Sequence, residues 1–555
     1  MTIAYAPAAE VSERLLKDRI VSRIWARDIS VWGAAPGTAE ARSITTRLGW
    51  LDVARTMAGE VERVARLAHA ARQERIQTVY LLGMGGSSLC AEVVRSVYGV
   101  REGYPELFVL DTTDEQTITE AAARMDPART LFIVASKSGG TVEVVSLERY
   151  FRERVASVLG KHAGRQFVAI TDPGTELQQH GTTTGYREVF LNPADIGGRF
   201  SALSLFGLVP TALIGSSPED LLAAGSAMAE GCKQENHANA GLQLGAFIGG
   251  AARAGRDKLT LALPSSIASL GLWIEQLIAE STGKHGKGAL PVVDEPLGRP
   301  DEYGQDRAFV AISTERDEPD MEKLDALEGA GYPVLRLSTR VDGLGSEFFQ
   351  WEFATAVAGA VLGINPFDEP NVAEAKEKTR ALLASFAREG TLPAPPSAGA
   401  SGIAVASPAF SRSSAAETVA NALGSLQPGD YIAFLSYLPA TAEFESAGAT
   451  VRQNLRAKFK TASTFGVGPR YLHSTGQYHK GGPNTALAFV LTSDDRTQTG
   501  IPGAGYSFSA LKRAQALGDA DALAAHGRRV VHIHFGGDAA RAAHALEHLF
   551  AEALK

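Results

Sequence analysis

Short β-branched runs recur along this chain, each followed by apolar residues at helical spacing, and no other feature restricts the fold as much. The runs at 78–82, 107–110, 131–135 and 167–170 are each followed by a helical stretch. Parallel strands need crossovers of this length and bury both faces, so the alternation predicts parallel sheets covered by helices. After a break at Gly215-Ser216-Ser217-Pro218 the scheme recurs, with strands expected at 259–263, 308–313 and 334–337. A third unit has strands expected at 431–435, 486–491 and 530–535. The fold class is therefore α/β, with two tandem parallel-sheet domains plus a smaller C-terminal α/β domain. Expected boundaries are a helical segment over 1–75, sheet domains over 76–225 and 226–388, and a last domain over 417–555. Between them 389–416, with Pro393, Pro395, Pro396 and Pro408, is expected to be a linker. Trp25, Val31 and Trp32 are expected to form a local apolar cluster in the first segment.

A chain of 555 residues is too long for one core, and 45% apolar with 21% charged residues is ordinary globular usage. The net charge of −8, with acid and base interspersed, argues against nucleic acid or an anionic membrane as a partner. Two cysteines, Cys90 and Cys232, support neither a disulfide framework nor a metal cluster, and both fall in apolar helical patterns as core residues. Met1-Thr2-Ile3-Ala4-Tyr5 lacks a basic region followed by an apolar segment, and the longest uncharged apolar run, 353–364, is too short for a bilayer. A soluble, cytoplasmic protein is expected.

Chemistry concentrates in a few turns. Val134-Ala135-Ser136-Lys137-Ser138-Gly139-Gly140-Thr141-Val142-Glu143 reads as strand, hydroxyl-rich turn and helix. Such a turn suits an anion, because the glycines let the backbone approach, Thr141 can cap the helix, and Lys137 adds a charge. A similar turn, Gly83-Met84-Gly85-Gly86-Ser87-Ser88, places Ser88 where a dinucleotide fingerprint needs its third glycine. Asp111 at the end of the next strand keeps a nucleotide reading open, but the serines beside Gly86 suit a sugar phosphate better. Gly197-Gly198-Arg199-Phe200-Ser201 presents a guanidinium at a helix start, where an oxyanion can develop. On the helix that Gly283 is expected to end, Gln276 and Glu280 share a face, and Glu280 meets the negative end of the macrodipole. That position, with partial burial, is expected to raise its pKa towards that of a general base. Each feature alone also fits a plain structural role, as a capped turn, a surface ion pair or a solvated last-turn acid.

Together these motifs resemble, in order, those of the phosphoglucose isomerase family, built from paired sugar-isomerase (SIS) domains. The resemblance spans roughly 75–385 and includes Asn365-Pro366-Phe367-Asp368-Glu369 leading to Lys376. It implies interconversion of glucose 6-phosphate and fructose 6-phosphate, in glycolysis and gluconeogenesis, with no cofactor and no metal. It further implies a sugar-phosphate partner and a possible homodimer. Gly86, Ser87, Ser136, Lys137, Ser138, Thr141, Glu143, Gly198 and Gln276 would bind substrate and its phosphate. Glu280 would shuttle the proton, Arg199 stabilise the enediolate and Lys376 assist at the ring oxygen. The chain departs from the family at Glu369, where a glutamine is usual, and at Gly304-Gln305-Asp306, where Gly-Gln-His is usual. The second departure removes the expected ring-opening histidine. Residues 400–555 resemble the tail of the isomerase half of transaldolase/phosphoglucose isomerase fusions, above all from His473 to Asn484. That stretch offers His479, which follows Gly476-Gln477 much as the family histidine follows Gly-Gln, and His473 as the second candidate. The alternatives are a dual glucose/mannose phosphate isomerase, a sugar-phosphate sensor of the same fold without catalysis, and, least, a dinucleotide reductase.

Overall fold

The computed structural model describes residues 3–393, 402–537 and 541–555. Three sheets organise the chain. The first holds β1 (Thr78–Gly83), β2 (Glu106–Leu110), β3 (Thr130–Ala135), β4 (Phe167–Thr171) and β5 (Glu188–Leu191), in the order β2-β1-β3-β4-β5 and parallel throughout. The second holds β6 (Lys258–Ala262), β7 (Leu290–Val292), β8 (Arg307–Ser313) and β9 (Val334–Ser338), in the order β7-β6-β8-β9 and again parallel. The third holds β10 (Ile403–Ala406), β11 (Tyr431–Ser436), β12 (Ala462–Val467), β13 (Ala486–Ser493) and β14 (Arg529–Phe535). Its order is β10-β14-β13-β11-β12, with β10 antiparallel at the edge. Strand β3 is buried at every position, as its unbroken apolar run requires between two layers of helices.

The chain reverses direction across the first sheet between β1 and β3. Leu82 pairs with Val134 and Gly83 with Ala135, so the two hydroxyl-rich turns leave the same edge side by side. Open α/β sheets bind ligands at such a point. Five helices matter for the site and its support: α1 (Val142–Leu159) after β3, α2 (Leu270–Thr282) after β6, α3 (Leu344–Leu362), α4 (Val372–Glu389) and α5 (Phe508–Ala525). Gly283 follows α2, as the sequence predicts. Helix α3 is apolar almost all round and buried along nearly its whole length.

Trp25 and Trp32 do not form a local cluster. Trp32 is 1% exposed, donates from Nε1 to the Ala356 carbonyl at 2.9 Å and meets Phe367 edge-on at 4.9 Å. Trp25 stacks on Phe349 at 6.1 Å. The short helices around them offer too little apolar area to cover an indole, so Trp32 is buried, and Trp25 half-buried, against α3 and the loop beyond it. Truncating a ring so buried typically costs ~3–5 kcal/mol, which ties the N-terminal helices to the second sheet. Cys90 and Cys232 are buried thiols whose pKa burial pushes up to about 12, as inert core residues.

The stretch expected as a linker over 389–416 is shorter than that. Its residues 394–401 lie outside the described residues, but 403–406 form β10, which pairs with β14. The third domain is packed closely against the end of α2. A Cβ on Gly283 would come within 2.4 Å of the Tyr478 Cα, and Gln477 Nε2 donates to the Gly283 carbonyl at 2.9 Å. Among the described residues no helix is long and apolar enough to cross a membrane.

Candidate active site

The two turns build the floor of a cavity of about 510 Å3. Gly85 has φ +54, and a Cβ there would meet the His473 carbonyl at 2.6 Å and Gln276 Nε2 at 2.8 Å. Glycine at this position therefore serves both a left-handed turn and a close approach. A Cβ on Gly86 would lie 2.0 Å from the Gly198 carbonyl, which locks this turn to the one carrying Arg199. Ser87, Lys137, Ser138, Thr141, Gly86 and Gly198 all line the cavity. Ser136 does not; it sits behind the turn and its hydroxyl bonds that of Thr141 at 2.9 Å. Thr141 is the N-cap residue of α1, yet its side chain makes no capping bond, because Ser136 engages it. Lys137 pairs with Asp172 and donates to the Ala194 carbonyl at 3.1 Å.

The opposite wall carries Glu280, Gln276, Arg199 and Glu369. Glu280 accepts from Gln276 Nε2 at 3.0 Å, one helical turn back on α2, and lies 3.4 Å from Arg199 Nη1. Burial raises its pKa above the ordinary value; the Arg199 charge opposes this and the Glu369 charge adds to it. Desolvation, rather than the helix end, is thus the main cause. Arg199 is 2% exposed and held at every nitrogen. Nε donates to Ser281 Oγ at 2.7 Å, Nη2 to the Pro366 and Asp368 carbonyls at 2.8 Å, and Nη1 to Glu369 at 3.0 Å. Burial also acts on Glu369, but Arg199 and Arg47 outweigh it and hold that carboxyl below its usual range. Two carboxylates on one wall are so driven in opposite directions, which separates a base from a fixed charge.

Behind the wall Lys284 is fully buried and donates to the Asn365 carbonyl at 2.8 Å and to the Asp368 carboxylate at 2.7 Å. Burial draws its pKa down to about 8. It ties the end of α2 to the loop that delivers Glu369 and, through α4, Lys376, which also lines the cavity. Buried pairs of this kind are expensive to break, because removing one partner strands the other.

The third domain closes the remaining side. The turn Arg470–His473, after β12, brings His473 to the cavity, and its carbonyl accepts from Gln276 at 2.8 Å. His473 Nε2 lies 3.0 Å from Glu143 Oε1. Glu143, expected from its motif to bind substrate, does not line the cavity. It lies buried behind the cavity against the histidine; burial raises its pKa, but the contact with His473 and the Lys376 charge prevail and lower it.

His479, the preferred histidine on sequence grounds, does not line the cavity. The short helix Gly476–Gly481 turns it into the interior of the third domain, 1% exposed, with Nδ1 2.8 Å from the Tyr431 hydroxyl. Burial draws its pKa down to about 3, so it stays neutral, and its carbonyl accepts from Arg528 at 2.7 Å. Asp306 sits at the N-terminal entry to β8, 3.7 Å from Lys258, and does not line the cavity. Sequence motifs also missed Arg47, Lys284 and Asp172 as site-building residues. Arg47 belongs to no motif, while Lys284 stands inside the stretch that carries Glu280, so its place there was the available signal.

A family model described as phosphoglucose isomerase matches residues 49–296. A glucose-6-phosphate isomerase of Carboxydothermus hydrogenoformans is 28% identical over 392 residues, 59% of this chain and 83% of the relative. Among solved structures, a hypothetical protein from Thermus thermophilus superposes with TM-score 0.58 at 23% identity, over 68% of this chain and 97% of the other. A glucose-6-phosphate isomerase from Chlamydia trachomatis superposes with TM-score 0.55 at 19% identity, over 68% of this chain and 86% of the other. At these identities the two structures speak for the fold alone, which is that of paired parallel-sheet domains.

Proposed function

We infer, for a chain that belongs to the phosphoglucose isomerase family, that it interconverts glucose 6-phosphate and fructose 6-phosphate through an enediolate. The observation that carries the site assignment is a buried carboxyl of raised pKa beside a buried, firmly held guanidinium, both facing two hydroxyl-rich turns across one cavity.

The 6-phosphate is held by Ser87, Ser138 and Thr141, with the Lys137 charge beside them and Ser136 fixing Thr141 from behind. In ring opening the C1–O5 bond breaks, a proton leaves the O1 hydroxyl and one is delivered to O5. His473 takes the first proton. Glu143 only accepts hydrogen bonds, so the facing His473 Nε2 carries hydrogen, and Nδ1 is the nitrogen free to act as base. Lys376 serves at the ring oxygen. Glu280 then removes the C2 proton, and charge develops on O1, where Arg199 meets it. Return of the proton to C1, with transfer of the hydroxyl proton from O2 to O1, completes the ketose. Gln276 keeps Glu280 and His473 in register, since one amide nitrogen reaches both. Every side chain in this scheme comes from one chain, so a homodimer, where it forms, is not needed to complete the site. A doubly charged sugar phosphate does not cross a bilayer unaided, which supports a cytoplasmic location.

The direct test is a coupled assay with fructose 6-phosphate, run beside mannose 6-phosphate. Turnover of the first is expected; turnover of neither would leave only binding.

A pH prediction arises at Glu369. Its charge raises the Glu280 pKa, and it competes with Glu280 for Arg199. Glu369→Gln removes the charge and releases Arg199 towards Glu280, and both changes lower the Glu280 pKa. A base must be deprotonated to act, so the acidic limb of kcat/KM is expected to move to lower pH. A limb that stays in place or moves up in pH would uncouple the two carboxyls.

A further inference from the structure

The third domain holds Glu143 from two directions. Its Oε1 faces His473 Nε2 at 3.0 Å and accepts from Gln515 Nε2 at 2.7 Å. Gln515 lies on α5, 2% exposed, and its Oε1 accepts from Thr113 Oγ1 at 2.8 Å. The amide can sit only this way round: a carboxylate offers no hydrogen, so the nitrogen must face Glu143. Thr113 is itself fully buried just beyond β2. One turn earlier on α5, buried Lys512 donates to Asp114 at 2.9 Å and also pairs with Asp495. Asp114 in turn caps the helix that follows, accepting from Thr117 N at 2.9 Å. Two adjacent buried contacts thus set the register of α5 against the first sheet, at the point where Gln515 reaches Glu143.

We propose that Gln515 is a positioning residue for ring opening: it fixes the Glu143 carboxylate and through it the aim of the His473 ring. Two donors converge on one oxygen, so the carboxylate cannot rotate without leaving one of them unpaired in a buried site, where that loss is costly. With Nε2 committed to Glu143, the ring keeps Nδ1 for the sugar. His473 and Gln515 come from the third domain on separate elements, and Glu143 from the first, so the third domain completes the active site within its own chain. This rests on the reading of His473 as the ring-opening group.

Gln515→Met keeps the length of the side chain and removes the donor. In the full chain, kcat for glucose 6-phosphate, a closed ring, is expected to fall about tenfold, a part of the roughly 10²–10⁴-fold that acid–base catalysis supplies. KM is expected to stay within about twofold, because the phosphate turns are untouched. Solvent exchange of the C2 proton of a four-carbon aldose phosphate, which cannot close a ring, is expected to be unchanged. Thr113→Val, which frees only the amide oxygen, should give the same selectivity at a smaller loss of about threefold. It carries the test if the first variant does not fold. A loss equal on both substrates, a change confined to KM, or unaltered kcat would overturn the positioning role. His473→Ala separates the two ideas. If it loses ring turnover selectively and Gln515→Met does not, positioning alone fails; if it shows no selective loss, the reading beneath it fails as well.

Discussion

Glu280→Gln is expected to lower kcat at least about 100-fold while KM changes little. The substitution keeps the shape of the side chain, and Gln276 still has an oxygen to donate to. Arg199 retains Ser281, Pro366, Asp368 and Glu369, so the wall does not collapse. What disappears is the only property the reaction draws on, a carboxylate of raised basicity that can carry a proton from C2 to C1. Exchange of the C2 proton with solvent should therefore fall in parallel with turnover. Near-full activity would move the base elsewhere on the wall. Glu369 is the nearby carboxylate to consider, but Arg199 and Arg47 hold it below its usual range, which makes it a poor base. Burial prevails at Glu280 and cations prevail at Glu369, and the proposed roles rest on that contrast.

Much of the fold was legible because the central strands announce themselves. β1, β3, β4, β6, β8, β11, β13 and β14 carry apolar runs that two covering layers demand. The strands the pattern missed, β5, β7, β10 and β12, all lie at sheet edges. An edge strand pairs on one side only and is less covered, so its composition is weaker. β7 has three residues, β10 follows a proline-rich stretch, and β12 mixes Ser463, Thr464 and Gly466 into its run. The site divides along the same line. That Ser87, Ser138 and Thr141 share a site was legible because each sits in a local strand-turn-helix motif, and Gln276 with Glu280 because one helix turn joins them. The partner of His473 is 330 residues away in sequence, and no spacing rule reaches that far. Likewise Glu143 carried its motif's signature while its side chain was turned from the cavity to a histidine of another domain.

The choice between His473 and His479 gives the other large effect. His473→Ala is expected to lower turnover of glucose 6-phosphate about 100-fold, within the range for a lost acid–base group. Proton exchange on a four-carbon aldose phosphate should hardly change, because that substrate arrives open. The selectivity follows from placement: His473 lines the cavity beside Gly85, and its bond to Gln276, and hence to the Glu280 side, runs through its backbone carbonyl. Alanine keeps that carbonyl, so the base stays aligned and the ring step alone is lost. His479→Ala is expected to behave in the opposite way. Its imidazole is buried against Tyr431, and its neutral form has no path to the sugar. Its loss strands the Tyr431 hydroxyl and opens a cavity in the third domain, so the melting temperature should fall while the ratio of closed-ring to open-chain turnover holds. If that ratio drops in His479→Ala and holds in His473→Ala, the two assignments exchange. If it holds in both, ring opening is done by Lys376 or by solvent, and the third domain serves this site by shaping it rather than by moving a proton.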